Sequence, residues 1–149
     1  MKFARLVFGI SGIYGLIVLV PQYFTEARIG SDYPPAITHP EYYYGFLGVA
    51  ISWQIAFLLI SRDPMRYRAM MVPSILEKVT FGLAVVLLFI FHRASTMILG
   101  FALIDLMFAA AFFAVTCALR HRKFPRSPVA LVAKCLGDGI SLVCILSEA

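Results

Sequence analysis

Three polar side chains stand inside stretches that are otherwise apolar: Gln54, Glu77 and Asp105. A carboxylic acid held away from water can take up or pass on a proton, or hydrogen-bond a ligand, and an amide beside it can orient the partner. An ionisable group at the centre of a membrane helix costs roughly 2.5–3.5 kcal/mol, so it is expected to face a bundle interior and to mark a candidate site. At 1.5 Å of rise per residue, Asp105 lies about 18 Å from Arg93 and about 22 Å from Arg120, near the middle of its stretch. Gln54 lies about 15 Å from Tyr44, a similar depth, so the geometry allows a hydrogen bond between Gln54 and Asp105. Glu77 is about 7–14 Å into its own stretch, and contact with Asp105 needs tilt or a water. Lys78 follows it and is expected to snorkel to the nearby surface, leaving Asp105 without a partner cation. Trp53 is expected to face away from Gln54.

The spacing leaves three readings open for these residues. They are polar contacts that fix helix register, a small-molecule or proton site, or a contact with another subunit. Interhelical hydrogen bonds in membranes average about 0.6 kcal/mol, a small return for burying an aspartate. Small residues mark the helix contacts that would frame such a site: Ser11, Gly12 and Gly15 in one stretch, Ala102 and Ala109 on the face of Asp105, and Ser74, Thr80 and Ala84 beside Glu77. A second group, His39, Glu41 and Tyr43, sits in the longest polar loop and is the expected contact surface for a partner. No metal site is expected, because His39, His92 and His121 are scattered and Cys117, Cys135 and Cys144 form no C-x-x-C pair. The cysteines read as small buried hydrophobes. The sequence holds no glycine-rich phosphate loop, no H-E-x-x-H and no G-x-S-x-G, and no cofactor is expected.

The elements that must carry these residues are membrane spans. The chain has 149 residues, of which 61% are hydrophobic and 14% charged. Soluble domains have about 45–50% apolar and about 25% charged residues. The apolar residues fall in blocks of bilayer-crossing length, about 3–20, 42–61, 72–91 and 96–119, which predicts an all-α, integral membrane four-helix bundle over residues 1–123. The first block lacks a small-residue cleavage pattern and reads as a retained helix rather than a signal peptide. The prolines at 21, 34, 35 and 40 predict an irregular loop over 21–41. The net charge of +5 sits almost entirely at the ends of the blocks, where membrane topology explains it and nucleic-acid binding is not implied. Lys2 and Arg5, then Arg62, Arg66 and Arg68, then Arg120, Arg122 and Lys123 alternate with loops poor in Lys and Arg. That alternation predicts both termini on the cytoplasmic side. Residues 124–149 form a separate cytoplasmic or membrane-surface tail. Its apolar part, 129–146, is interrupted by Lys134, Gly137, Asp138 and Gly139, and reads as an amphipathic helix on the inner leaflet.

One stretch carries a resemblance. Pro34-Pro35-Ala36-Ile37-Thr38, His39-Pro40-Glu41-Tyr42-Tyr43-Tyr44-Gly45-Phe46, Trp53-Gln54, Arg62-Asp63-Pro64, Arg66-Tyr67-Arg68 and Leu76-Glu77-Lys78 resemble a set of uncharacterised small bacterial four-helix membrane proteins. In span count and size alone the chain is also similar in outline to the DoxX-like group. The resemblance implies a multi-pass protein of the bacterial plasma membrane and carries no activity. The short loops and absent catalytic motifs favour a non-enzymatic role, as an accessory or assembly subunit or a binder of an apolar small molecule or lipid. Other membrane subunits or further copies of the chain are then candidate partners. The alternative is a small membrane enzyme or proton-coupled carrier that uses Asp105 and Glu77.

Overall fold

The computed structural model describes residues 2–120; the expected surface helix over 129–146, Cys135 and Cys144 lie outside that range. Helix α1 (Lys2–Leu19) runs through a 3₁₀ turn (Val20–Phe24) into a short α2 (Glu26–Asp32). Three long helices follow: α3 (Pro40–Arg62), α4 (Met71–Ile90, preceded by the 3₁₀ turn Arg68–Met70) and α5 (Thr96–Arg120). Four segments are long and apolar enough to cross a membrane: Lys2–Phe24, Pro40–Arg62, Arg68–Ile90 and Thr96–Arg120. The bundle is all-α, as the block pattern predicts. The loop over 21–41 departs from expectation, since Pro21 opens a helical turn, where its missing N–H costs nothing, and α2 follows it.

The helix ends are written in local chemistry. Pro40 stands in the first turn of α3, behind His39. Asp63 precedes Pro64, which disfavours the helical region for the residue before it, and α3 stops there. The Asp63 carboxylate then accepts the Arg66 amide at 3.1 Å to fix the turn. At the end of α4, His92 takes φ 56°. Its N–H donates to the Phe89 carbonyl at 2.9 Å and that of Arg93 to the Leu88 carbonyl at 2.8 Å, the paired bonds of a Schellman motif. The Ser95 hydroxyl accepts the Ile98 amide at 3.4 Å and caps α5.

The helices pair as two antiparallel hairpins. In the first, Gly9, Gly12 and Gly15 of α1 lie against Ser61, Leu58 and Gln54 of α3 in turn. In the second, Gly82 of α4 receives Leu106 of α5. Each long helix buries one narrow stripe; on α4 it is Met71, Ser74, Lys78, Gly82 and Val85, and on α5 Ala102, Ala109, Phe112, Val115 and Leu119. The outward faces carry exposed Ile13, Ile17, Leu76, Leu87, Met107 and Phe113. An apolar exterior around a narrow buried stripe suits lipid as the solvent. The hairpins join through a cluster of aromatic rings: Phe8 stacks on Phe112 at 4.1 Å between centroids, and Phe57 meets Phe112 edge-on at 5.1 Å. Ala4, Ile60, Met71 and Leu119 continue this core toward the helix ends that carry Lys2, Arg62, Arg68 and Arg120.

Gly12 tests the close approach of the first hairpin. A Cβ there would stand 2.9 Å from the Gln54 backbone carbonyl, which cannot swing aside. Gly12→Ala is expected to cost about 1–3 kcal/mol through overpacking. Gly45, also helical, has nothing within 4 Å of such an atom. Gly45→Ala is therefore expected to be neutral or to gain up to about 1 kcal/mol in helix propensity. Thermal unfolding of the two variants in mild detergent checks the contrast, and equal midpoints would refute it.

Candidate functional site

The structure brings Glu77 and Asp105 together through a residue that the sequence reading sent elsewhere. Lys78 does not snorkel: it is only 5% exposed. Its Nζ lies 3.0 Å from Asp105 Oδ1 and 3.6 Å from Glu77 Oε2, and 5.4 Å from the centroid of the Phe57 ring. Asp105 therefore has a partner cation. The reason is length and phase. The helical run begins at Arg68, so Lys78 stands about 15 Å along it, too deep to reach the surface. Lys78 is also in register with Ser74, Gly82 and Val85 on the buried stripe, whereas Thr80 and Ala84, expected to share an inward face with Glu77, are exposed. Three ionisable groups then meet inside the bundle, two acids and one amine.

Gln54 is 1% exposed, at the depth expected, but it does not reach Asp105. Its Nε2 donates to the Ala50 carbonyl at 3.0 Å. The reverse amide orientation would set two oxygens at that separation, so Oε1 is the atom left over. That oxygen has no hydrogen-bond partner, and neither do the buried Tyr14 hydroxyl, Ser11 Oγ and Glu77 Oε2. Gly15 makes room for the Gln54 side chain, because a Cβ there would overlap its amide.

Between the hairpins lies a cavity of about 970 Å³. At its inner end stand Tyr14, Gln54, Glu77, Lys78 and Asp105; Trp53 lines it beside Gln54, contrary to the expectation that the two diverge. Most of the remaining lining is apolar or aromatic, with Phe46, Val49, Phe81 and Phe101 prominent. Exposed Phe46 and Val49 on α3, and Thr80 on α4, place part of its rim at the outer surface, where Phe46 and Phe81 stack across the seam at 6.3 Å. Ile29 and Tyr33 from the α2 region line the other end, and the Tyr33 hydroxyl contacts Met97 Sδ at 2.8 Å.

The loop residues fall outside this site. His39 Nδ1 and Glu41 Oε1 pair at 3.1 Å on the exposed surface. Tyr43 ties the loop to α3: its hydroxyl donates to the Gln22 carbonyl at 2.7 Å, and the neighbouring Tyr44 hydroxyl donates to Glu26 at 2.7 Å. Cys117, read as buried, is exposed on α5. The sequence reading missed Lys78 and Tyr14. The signal for Lys78 was its spacing of four from both Ser74 and Gly82. Comparison with known protein families, with curated proteins and with solved structures finds no match.

Lys78→Met leaves Asp105 and Glu77 facing one another without their ammonium. Removing one member of a buried ion pair is expected to cost about 3–5 kcal/mol. Adding Asp105→Asn removes the nearer of the two stranded acids and is expected to restore part of that loss. Unfolding midpoints of the single and double variants check it; a double variant no better than Lys78→Met would show that the pair is not coupled.

Proposed function

We propose that this protein is a membrane-embedded binder of an apolar small molecule or lipid, held in the cavity between the two hairpins. The carrying observation is the cavity itself, with apolar walls and a polar inner end made by Tyr14, Gln54, Glu77, Lys78 and Asp105. Ligand sites are typically concave, mostly apolar and supplied with a few convergent polar groups, within about 300–1,000 Å³. Polar contacts that only fix register would satisfy one another, whereas Tyr14, Gln54 and Glu77, which line the cavity, each hold a buried side-chain atom without a partner. A proton-coupled carrier is the second reading, since the cavity reaches the ion cluster. The fully buried ring cluster of Phe8, Phe57 and Phe112, packed toward the arginine-bearing end, favours the binder.

The same reading places the chain in a bacterial plasma membrane, among small four-helix bundles with the DoxX-like outline, on span count and chain size. It also puts the arginine-bearing end in the cytoplasm. Lys2, Arg5, Arg62, Arg66, Arg68 and Arg120 gather there against Asp63 alone among the described residues, while the opposite end carries Arg28 and Arg93 with Glu26, Asp32 and Glu41. That is the charge asymmetry of the positive-inside rule.

Native mass spectrometry of the protein purified in mild detergent tests the binding. The expected result is a retained apolar mass. Thr80→Phe, which fills the cavity from its rim, is expected to lose that mass, and Met107→Phe, on a lipid-facing surface, to keep it. No bound mass, or equal retention in both variants, would overturn the proposal. Orientation is read by an impermeant maleimide on intact cells, after replacement of the native cysteines. Asp32→Cys is expected to label and Arg66→Cys to remain unlabelled until the membrane is opened.

A further inference from the structure

The polar inner end of the cavity is not chemically neutral in what it offers. Lys78 Nζ is held by Asp105 at 3.0 Å and stands 3.6 Å from Glu77 Oε2, and the Gln54 amide nitrogen donates to the Ala50 carbonyl. Two buried acceptors lack a partner, Gln54 Oε1 and Glu77 Oε2, and so does the Tyr14 hydroxyl, which can act either way. A buried polar atom with no partner costs about 1–3 kcal/mol, so a head group that donates to these atoms gains what they now lack. The terminal torsions of Gln and Glu are broad, and both side chains line the cavity.

Charge points the same way. Lys78 faces two carboxyl groups, so acids outnumber bases at the inner end. Trp53, Phe81 and Phe101 line the space beside it, and aromatic faces attract cations. The helix ends on the α2 side, from which Ile29 and Tyr33 line the cavity, add three carboxylates against Arg28 and Arg93. Each of these features penalises an anionic head group.

Resting on the proposed cavity-binding role, we infer that the ligand is a cationic amphiphile: an apolar body with a primary or secondary ammonium head. The ammonium donates to Glu77 and Gln54 at the inner end of the cavity, and the body fills the aromatic channel toward the rim.

The chain reports on this directly, because Trp53 is its one tryptophan and lines the cavity. The experiment is an emission titration of the full chain in zwitterionic nanodiscs with dodecylamine, dodecanol and dodecanoate, which share one apolar chain. Dodecylamine is expected to shift Trp53 emission saturably and about tenfold more tightly than dodecanol, the gain of one charge-assisted hydrogen bond. Dodecanoate is expected to give no saturable shift. In Glu77→Gln the preference of amine over alcohol is expected to disappear. Equal binding of amine and alcohol, or tighter binding of dodecanoate, overturns the head-group assignment while the cavity reading stands. Failure of all three probes to shift Trp53 overturns both. Should Glu77→Gln not fold, the ranking of the three probes on the unaltered chain decides by itself.

Discussion

A lysine inside a membrane bundle has to be answered by a carboxylate, and the arrangement of α4 and α5 follows from that requirement. Burial of the Lys78 ammonium is tolerable because Asp105 approaches it to 3.0 Å and Glu77 to 3.6 Å. The pairing fixes the axial register of the second hairpin, since a slip of one turn along either helix would carry the charges about 5.4 Å apart. Gly82, one turn beyond Lys78, admits Leu106 next to Asp105 and lets the two backbones come close enough for the contact. Electrostatics and shape thus specify the same register.

The first hairpin is held by different means. Its glycines bring α1 close to α3, and Gly15 leaves a space that the Gln54 side chain occupies. The two hairpins are locked to each other by aromatic rings toward the arginine-bearing end, but above Lys78 they part to form the cavity. The ion cluster therefore sits at the boundary between a packed half and an open half. That position puts a structural ion pair at the inner end of the cavity.

Much of this was legible from the sequence. Long apolar blocks define the four spans to within a few residues, because the bilayer imposes both length and composition. The depths of Gln54 and Asp105 follow from the regular rise of a helix. What one-dimensional reading could not supply was the facing of Lys78. Its path to the surface depended on where the helix began, and the 3₁₀ turn at Arg68–Met70 moved that point outward. The predicted bond from Gln54 to Asp105 failed for a related reason. Equal depth does not bring two helices into contact, and Gln54 satisfied its nitrogen within its own helix instead. In the loop, proline signalled irregular chain, although at the first turn of a helix it is well accommodated.

The lysine bears as well on how the chain enters the bilayer. Helix α4 carries Glu77 and Lys78, and α5 carries Asp105, each of which raises the cost of inserting its helix alone. Only four residues separate Ile90 from Ser95, and the His92 turn folds the chain back on itself between them. The short turn ties the two helices into an antiparallel pair from the outset. Entry into the bilayer as a pair would let Lys78 and Asp105 meet before either faces lipid alone.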